Sequence, residues 1–249
     1  MRFRLEYKFF KAGQKRAPCV PGQPPLKYYS TLLEMIINVM YYSINNDINL
    51  KENDAVDRLA KIIRIITIPP VLAAALAITL FSYDAALIGS TAQFYALLFF
   101  LTILPALAYF LQPFLPLYRD KGRAGQRKLA FIASAAGYSF GVVFALVTSA
   151  TKTVRMIYWT YFVSVLMLTV FNKATPWRAS GHACGVAGPI SLMVFFVGPQ
   201  TLPVVLVFAL MAWASLRTKR HTPVELILGG IDSVFAFLLV LFVFHAFHL

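Results

Sequence analysis

Two short segments hold the residue types best suited to chemistry. One runs Arg217-Thr-Lys-Arg220-His221-Thr-Pro-Val-Glu225-Leu-Ile-Leu-Gly229. His221 and Glu225 are four residues apart, so they share a face of a helix or meet across its cap, with Pro223 suited to the first turn. A carboxylate bound to one imidazole nitrogen fixes the tautomer and leaves the other nitrogen's lone pair for attack on an electrophile. Alone, such a pair is an ordinary surface contact. Glu225, however, is one of only four carboxylates after Asp57, with Asp84, Asp120 and Asp232. Acidic groups within apolar segments are costly and point to function.

The other segment runs Lys173-Ala-Thr-Pro-Trp-Arg178-Ala-Ser180-Gly181-His182. Ser180 is a good N-cap, its oxygen accepting from an N–H two or three residues on. A helix that begins there directs free N–H groups and its positive end at an anion. Gly181 lets an oxyanion approach the backbone, and His182 stands beside it in the first turn. Gly185 and Gly188 extend a small-residue face of the kind that packs membrane helices closely. Without the second segment, this would be an ordinary capped helix.

The elements that must position these residues are membrane helices. Of 249 residues, 59% are apolar and 13% charged, about half the charged fraction of a soluble domain, roughly 25%. Seven apolar stretches of about spanning length follow residue 61, at 62–83, 91–117, 129–149, 156–171, 183–198, 202–216 and 224–247. The expected fold is an all-α transmembrane bundle of six to seven spans over residues 61–249, after a basic, partly loop-like segment at 1–60. Within that segment, 28–44 carries Glu34 and Asn38 and reads as an interfacial helix. Pro69 and Pro70 fall in the first turn of the first span, and Pro105 kinks the second.

Counting spans places the loops 118–128, 172–182 and 217–223 on one side. Ten of the twelve basic residues after Ile65 lie in them, and only Lys152 and Arg155 lie on the other face. The positive-inside rule alone accounts for such a bias and would put the three loops in the cytoplasm. The two histidines that share those loops add a chemical reading to the topological one. His245 and His248 read as an interfacial tail.

Composition also excludes classes. Cys19 and Cys184 give neither a disulfide framework nor a metal-ligand pair, and Cys184 reads as a small packing residue. The net charge of +13 comes without a basic helix or aromatic-interleaved patch of a nucleic-acid module, so no nucleic-acid partner is expected. Magnesium-dependent diphosphate chemistry draws on clusters of carboxylates, and the apolar part of the sequence after Asp57 has none. No metal or other cofactor is expected.

Together the two segments resemble the type 2 phosphatidic acid phosphatase and vanadium haloperoxidase superfamily, in its membrane-embedded, archaeal-type branch. Ser180-Gly181-His182 matches the end of the family's second motif. His221, Glu225 and Gly229 keep the spacing of its third, and 182–189 resembles the branch's extension. The likeness spans roughly 62–247. Three departures accompany it. Ser215 stands where the third motif has arginine, with Arg217 a helical turn before the histidine. Glu225 replaces aspartate. The first motif, Lys, six residues, Arg-Pro, is incomplete: loop 119–128 offers Lys121 and Lys128, or Arg123 and Arg127, without the proline.

The resemblance implies a metal-independent phosphatase acting on a lipid phosphate or polyprenyl (di)phosphate that enters from the bilayer. Lys121, Arg123, Arg127, Arg178, Ser180, Gly181 and Arg217 would bind phosphate. His221, oriented by Glu225, would form a phosphohistidine, and His182 would protonate the leaving group. The departures leave open a catalytically inactive lipid-phosphate binder on the same fold. A transporter is a third reading, against which stand the lack of an internal repeat and of paired interrupted helices. Most members of the family place their site outside, opposite to the positive-inside count.

Overall fold

The structure is a computed structural model that describes residues 55–247; the interfacial helix expected at 28–44 and His248 lie outside them. The described residues form helices and tight turns, with no strand among them. In chain order, α1 is Ala55–Ile66 and α2 is Pro69–Tyr83. They are followed by α3, Thr91–Phe114, α4, Gly122–Val147, and α5, Lys152–Ala174. The last three are α6, Gly181–Val197, α7, Pro199–Arg217, and α8, Pro223–Ala246. Helices α3, α4, α5, α7 and α8 are long and apolar enough to cross a membrane, and α1 with α2 makes a sixth if the bent pair is one span. The chain is an all-α polytopic bundle.

The first span departs from expectation. Residues 62–83 are not one helix, because α1 stops at Ile66 and α2 starts after a 56° bend. Pro69 and Pro70 cause it. Neither has an N–H to continue the ladder of α1, and a proline ring clashes with the carbonyl one turn back. Ile68 is therefore extended, and the two prolines occupy the first turn of α2, where a missing donor costs little. At Pro105 the expected kink takes the form of a wide turn. Residues Phe99–Ile103 are π-helical, and the Leu104 N–H reaches back to the Phe99 carbonyl. This wider turn takes up the disturbance that a proline makes in the regular ladder.

The seventh expected span, α6, has 17 residues. At the helical rise that is about 26 Å, slightly short of the hydrocarbon core, about 30 Å. It is the packed centre of the bundle, lying chiefly against α8 and α2. Ala183, Val186 and Leu192 along it are fully buried. Large apolar side chains instead point outward from α4, α7 and α8, among them Phe140, Leu206, Ile227 and Phe242, as lipid-facing surfaces require. Away from the cationic loops, Lys152 Nζ donates to the Phe244 carbonyl at 3.3 Å, tying the start of α5 to the end of α8.

Candidate active site

The turn between α7 and α8 builds the first half of the site. Lys219 has a left-handed backbone, φ 50°, and the Arg220 N–H closes the turn on the Ser215 carbonyl at 3.0 Å. Thr222 then caps α8: its hydroxyl accepts from the Glu225 N–H while the Glu225 carboxylate accepts from the Thr222 N–H, a reciprocal capping box. The same carboxylate oxygen lies 2.8 Å from His221 Nδ1. A carboxylate can only accept, so Nδ1 carries the proton and Nε2 keeps its lone pair. Glu225 thus fixes both the start of α8 and the tautomer of His221.

The loop between α5 and α6 builds the second half. Asn172 clamps it reciprocally: the Ala179 N–H donates to Asn172 Oδ1 at 2.7 Å, and Asn172 Nδ2 donates to the Ala179 carbonyl at 3.2 Å. Ser180 caps α6, accepting from the Ala183 N–H at 3.2 Å. The Ser180 N–H donates to the Glu225 carbonyl at 2.9 Å, so one hydrogen bond joins the two halves. Gly229 makes that approach possible, since a Cβ there would lie 2.2 Å from the Ser180 carbonyl oxygen. His182, in the first turn of α6, places Nε2 3.2 Å from Thr67 Oγ1. Thr67 donates its own proton to the Ile63 carbonyl at 2.8 Å. Its oxygen is therefore the acceptor, and His182 holds its proton on Nε2.

Both histidines line one cavity of about 1220 Å³ at the end of the bundle where the three cationic loops meet. Glu225, Arg123, Arg127, Arg178, Gly181 and Arg217 line it as expected. Two expected residues do not. Lys121 precedes α4, exposed and outside the lining. Ser180 is 1% exposed, with its hydroxyl used as the cap of α6, so it positions the helix start and does not face the cavity. Arg217 is also committed elsewhere in part: its Nε lies 2.6 Å from Asp57 of α1. Ser215, at the third-motif arginine position, is fully buried and donates to the Met211 sulfur.

The structure adds cations that the sequence reading did not single out. Arg64 and Arg220 line the cavity, and Arg64 lies within electrostatic reach of Arg127, Arg220 and Tyr109. Its Nε is buried without a hydrogen-bond partner among the described residues. Arg123 in turn feels Arg220 and Arg127. Guanidiniums gathered this closely repel one another, and an anion among them relieves that repulsion while supplying acceptors. No group of three or more His, Cys, Asp or Glu among the described residues is arranged to hold a metal. Arg64 escaped the sequence reading because it sits in an apolar run before Pro69, with nothing nearby in the chain to tie it to either motif.

Cys184 is more than a packing residue. Its sulfur lies 2.8 Å from Ser164 Oγ, and both contact the Asp232 carboxylate, at 3.5 and 3.3 Å. This buried cluster lies one helical turn or less below the level of His182. Comparison of the chain with family models, with curated proteins and with solved structures returns no match to any of them.

Proposed function

We propose that the chain is a cell-membrane phosphatase that hydrolyses a lipid phosphate or polyprenyl (di)phosphate through a phosphohistidine, without a metal. The observation that carries this reading is the placement of His221, held through Nδ1 by Glu225, in the same cationic cavity as His182. The phosphate would sit among Arg64, Arg123, Arg127, Arg178 and Arg220. Preorganised donors of this kind stabilise charge that develops on phosphoryl oxygens, and loss of one such donor typically costs about 10²–10³ in rate.

In the first step His221 Nε2 attacks phosphorus and the P–O bond to the leaving group breaks. His182, partly buried beside Arg64 and neutral before phosphate binds, takes up the proton of the bound phosphate monoanion and passes it to the departing oxygen. In the second step His182 accepts a proton from water, the water oxygen bonds to phosphorus, and the P–N bond breaks to release phosphate and free His221. Both alternating roles of His182 are ordinary general acid–base catalysis.

The test is phosphate release by purified full-length protein in detergent with EDTA, across a panel of lipid mono- and diphosphates. Release is expected to persist in EDTA and to fall to background in His221→Ala. Undiminished release by His221→Ala would overturn the assignment of the nucleophile. A second reading, a binder without turnover, is favoured by Ser215 at the third-motif arginine position and by the engagement of Arg217 with Asp57. It predicts lipid-phosphate binding by intact protein with no release from any member of the panel.

A further inference from the structure

Below the histidines the cavity continues to an uncharged polar floor that the chemistry above does not use. Tyr138, Thr160, Tyr161 and Ser164 line it, at 7%, 1%, 6% and 5% exposure. Ser164 is engaged, bonded to Cys184 and Asp232. Thr160 and Tyr161 differ: neither hydroxyl has a hydrogen-bond partner among the described residues. A threonine in a helix can return its proton to the carbonyl one turn back, as Thr169 does to Val165 at 2.6 Å, but Thr160 makes no such bond. The Tyr161 ring is held edge-on by Tyr138, their centroids 5.1 Å apart. Two buried hydroxyls thus border the cavity with donors to offer.

We infer that this floor is a second binding subsite, which hydrogen-bonds an uncharged oxygen-bearing group of the ligand, an ester carbonyl or a hydroxyl, carried a few bonds from its phosphate. The inference rests on the reading that the cationic mouth binds the phosphate. The depth fits. Ser164 pairs with Cys184, just below His182, and Tyr161 lies three residues further down α5, so Tyr161 sits about 8 Å below His182 at the helical rise. The sign of charge fits as well, since Asp232 behind Ser164 and Cys184 disfavours a second anion there. A ligand that is pure hydrocarbon beyond its phosphate leaves both hydroxyls unpaired. The subsite therefore selects an oxygenated backbone over a polyprenyl chain.

The experiment measures binding of non-hydrolysable phosphonate analogues to the purified full-length protein in detergent. One analogue carries a diacylglycerol backbone, one a bare glycerol backbone, and one a polyprenyl chain. Release from the matching phosphates is assayed in parallel. The diacylglycerol analogue is expected to bind about tenfold more tightly than the polyprenyl one, the size of one or two neutral hydrogen bonds. Tyr161→Phe and Thr160→Val should each erase most of that preference while leaving polyprenyl affinity and thermal stability unchanged, and Thr160→Ser should restore it. A preference shared by the bare glycerol analogue assigns the contact to hydroxyls; its absence there assigns it to ester carbonyls. Equal affinity of the diacylglycerol and polyprenyl analogues for the native protein, or variants that weaken both alike, would overturn the subsite. If the preference holds but no phosphate is released, the hydrolytic reading fails and the subsite stands. If no analogue binds, both fail.

Discussion

His221 is tied to Glu225 by one hydrogen bond, and that carboxylate also closes the capping box of α8. Substitution can separate the two duties. Glu225→Gln keeps an oxygen for both N–H groups but removes the charge that stabilises an imidazolium and fixes the tautomer. Its kcat is expected to fall by about 10²–10⁴, while thermal unfolding in detergent moves little. Glu225→Ala should lose the same activity and, in addition, about 1 kcal/mol of stability with the cap. Equal kcat in native and Glu225→Gln protein would show that the contact serves the helix alone. Arg64 calls for a different test. Arg64→Gln removes a partly buried cation from the mouth and should weaken lipid-phosphate binding by about 10- to 100-fold, the range for a charge-assisted hydrogen bond. At this scale, contacts made within one turn were legible in the sequence. Ser180 as cap, His182 in the first turn and the His221–Glu225 pair all follow from spacing of four or fewer. The contact between Thr67 and His182, 115 residues apart, had no local signal, and the same holds for Arg64.

At the scale of elements, the site depends on how closely α6 and α8 approach. The hydrogen bond from the Ser180 N–H to the Glu225 carbonyl needs the backbone of Ser180 to rest on Gly229. Gly229→Ala would place a methyl group 2.2 Å from the Ser180 oxygen, and backbone cannot yield as a flexible side chain does. The expected cost is about 1–3 kcal/mol of stability, as for other overpacked sites. Activity should drop steeply although no catalytic group changes. Thermal unfolding and phosphate release on the same preparation check both effects, and wild-type values for Gly229→Ala would remove this contact from the account. Here too the sequence was legible in part. Glycine four residues after Glu225 was visible as a pattern, but its partner was not. Apolar runs located the helices, whereas the bend at Ile68 and the π turn before Pro105 required knowing which carbonyls those prolines leave without partners. Composition signals an interruption and is silent on its angle.

At the scale of the whole molecule, an alternating path through the bilayer gathers the charge. Helices α3, α5 and α7 end where α4, α6 and α8 begin, so loops far apart in sequence contribute to one cavity. Chain order and span count made that convergence readable before any coordinates, because each pair of spans returns the chain to the same side. The depth of the cavity was not readable, since it depends on which side chains each helix turns inward. The convergence predicts a salt dependence with a particular form. On the proposed reading, exposed Arg127, Arg178 and Arg220 would attract a phosphate over distances comparable with the screening length, about 10 Å at 0.1 M salt and about 3 Å at 1 M. Arg64, partly buried, is screened less. Raising sodium chloride from 0.05 to 0.5 M should therefore increase KM for a lipid phosphate several-fold while kcat changes little, because approach weakens more than the contacts made at the phosphate. Arg178→Gln and Arg220→Gln should raise KM at low salt and flatten its rise with salt. Arg64→Gln should raise KM at every salt concentration and leave the slope nearly as it is. Parallel slopes in all three variants would mean that the loop cations follow the topology of insertion and take no part in drawing the ligand in.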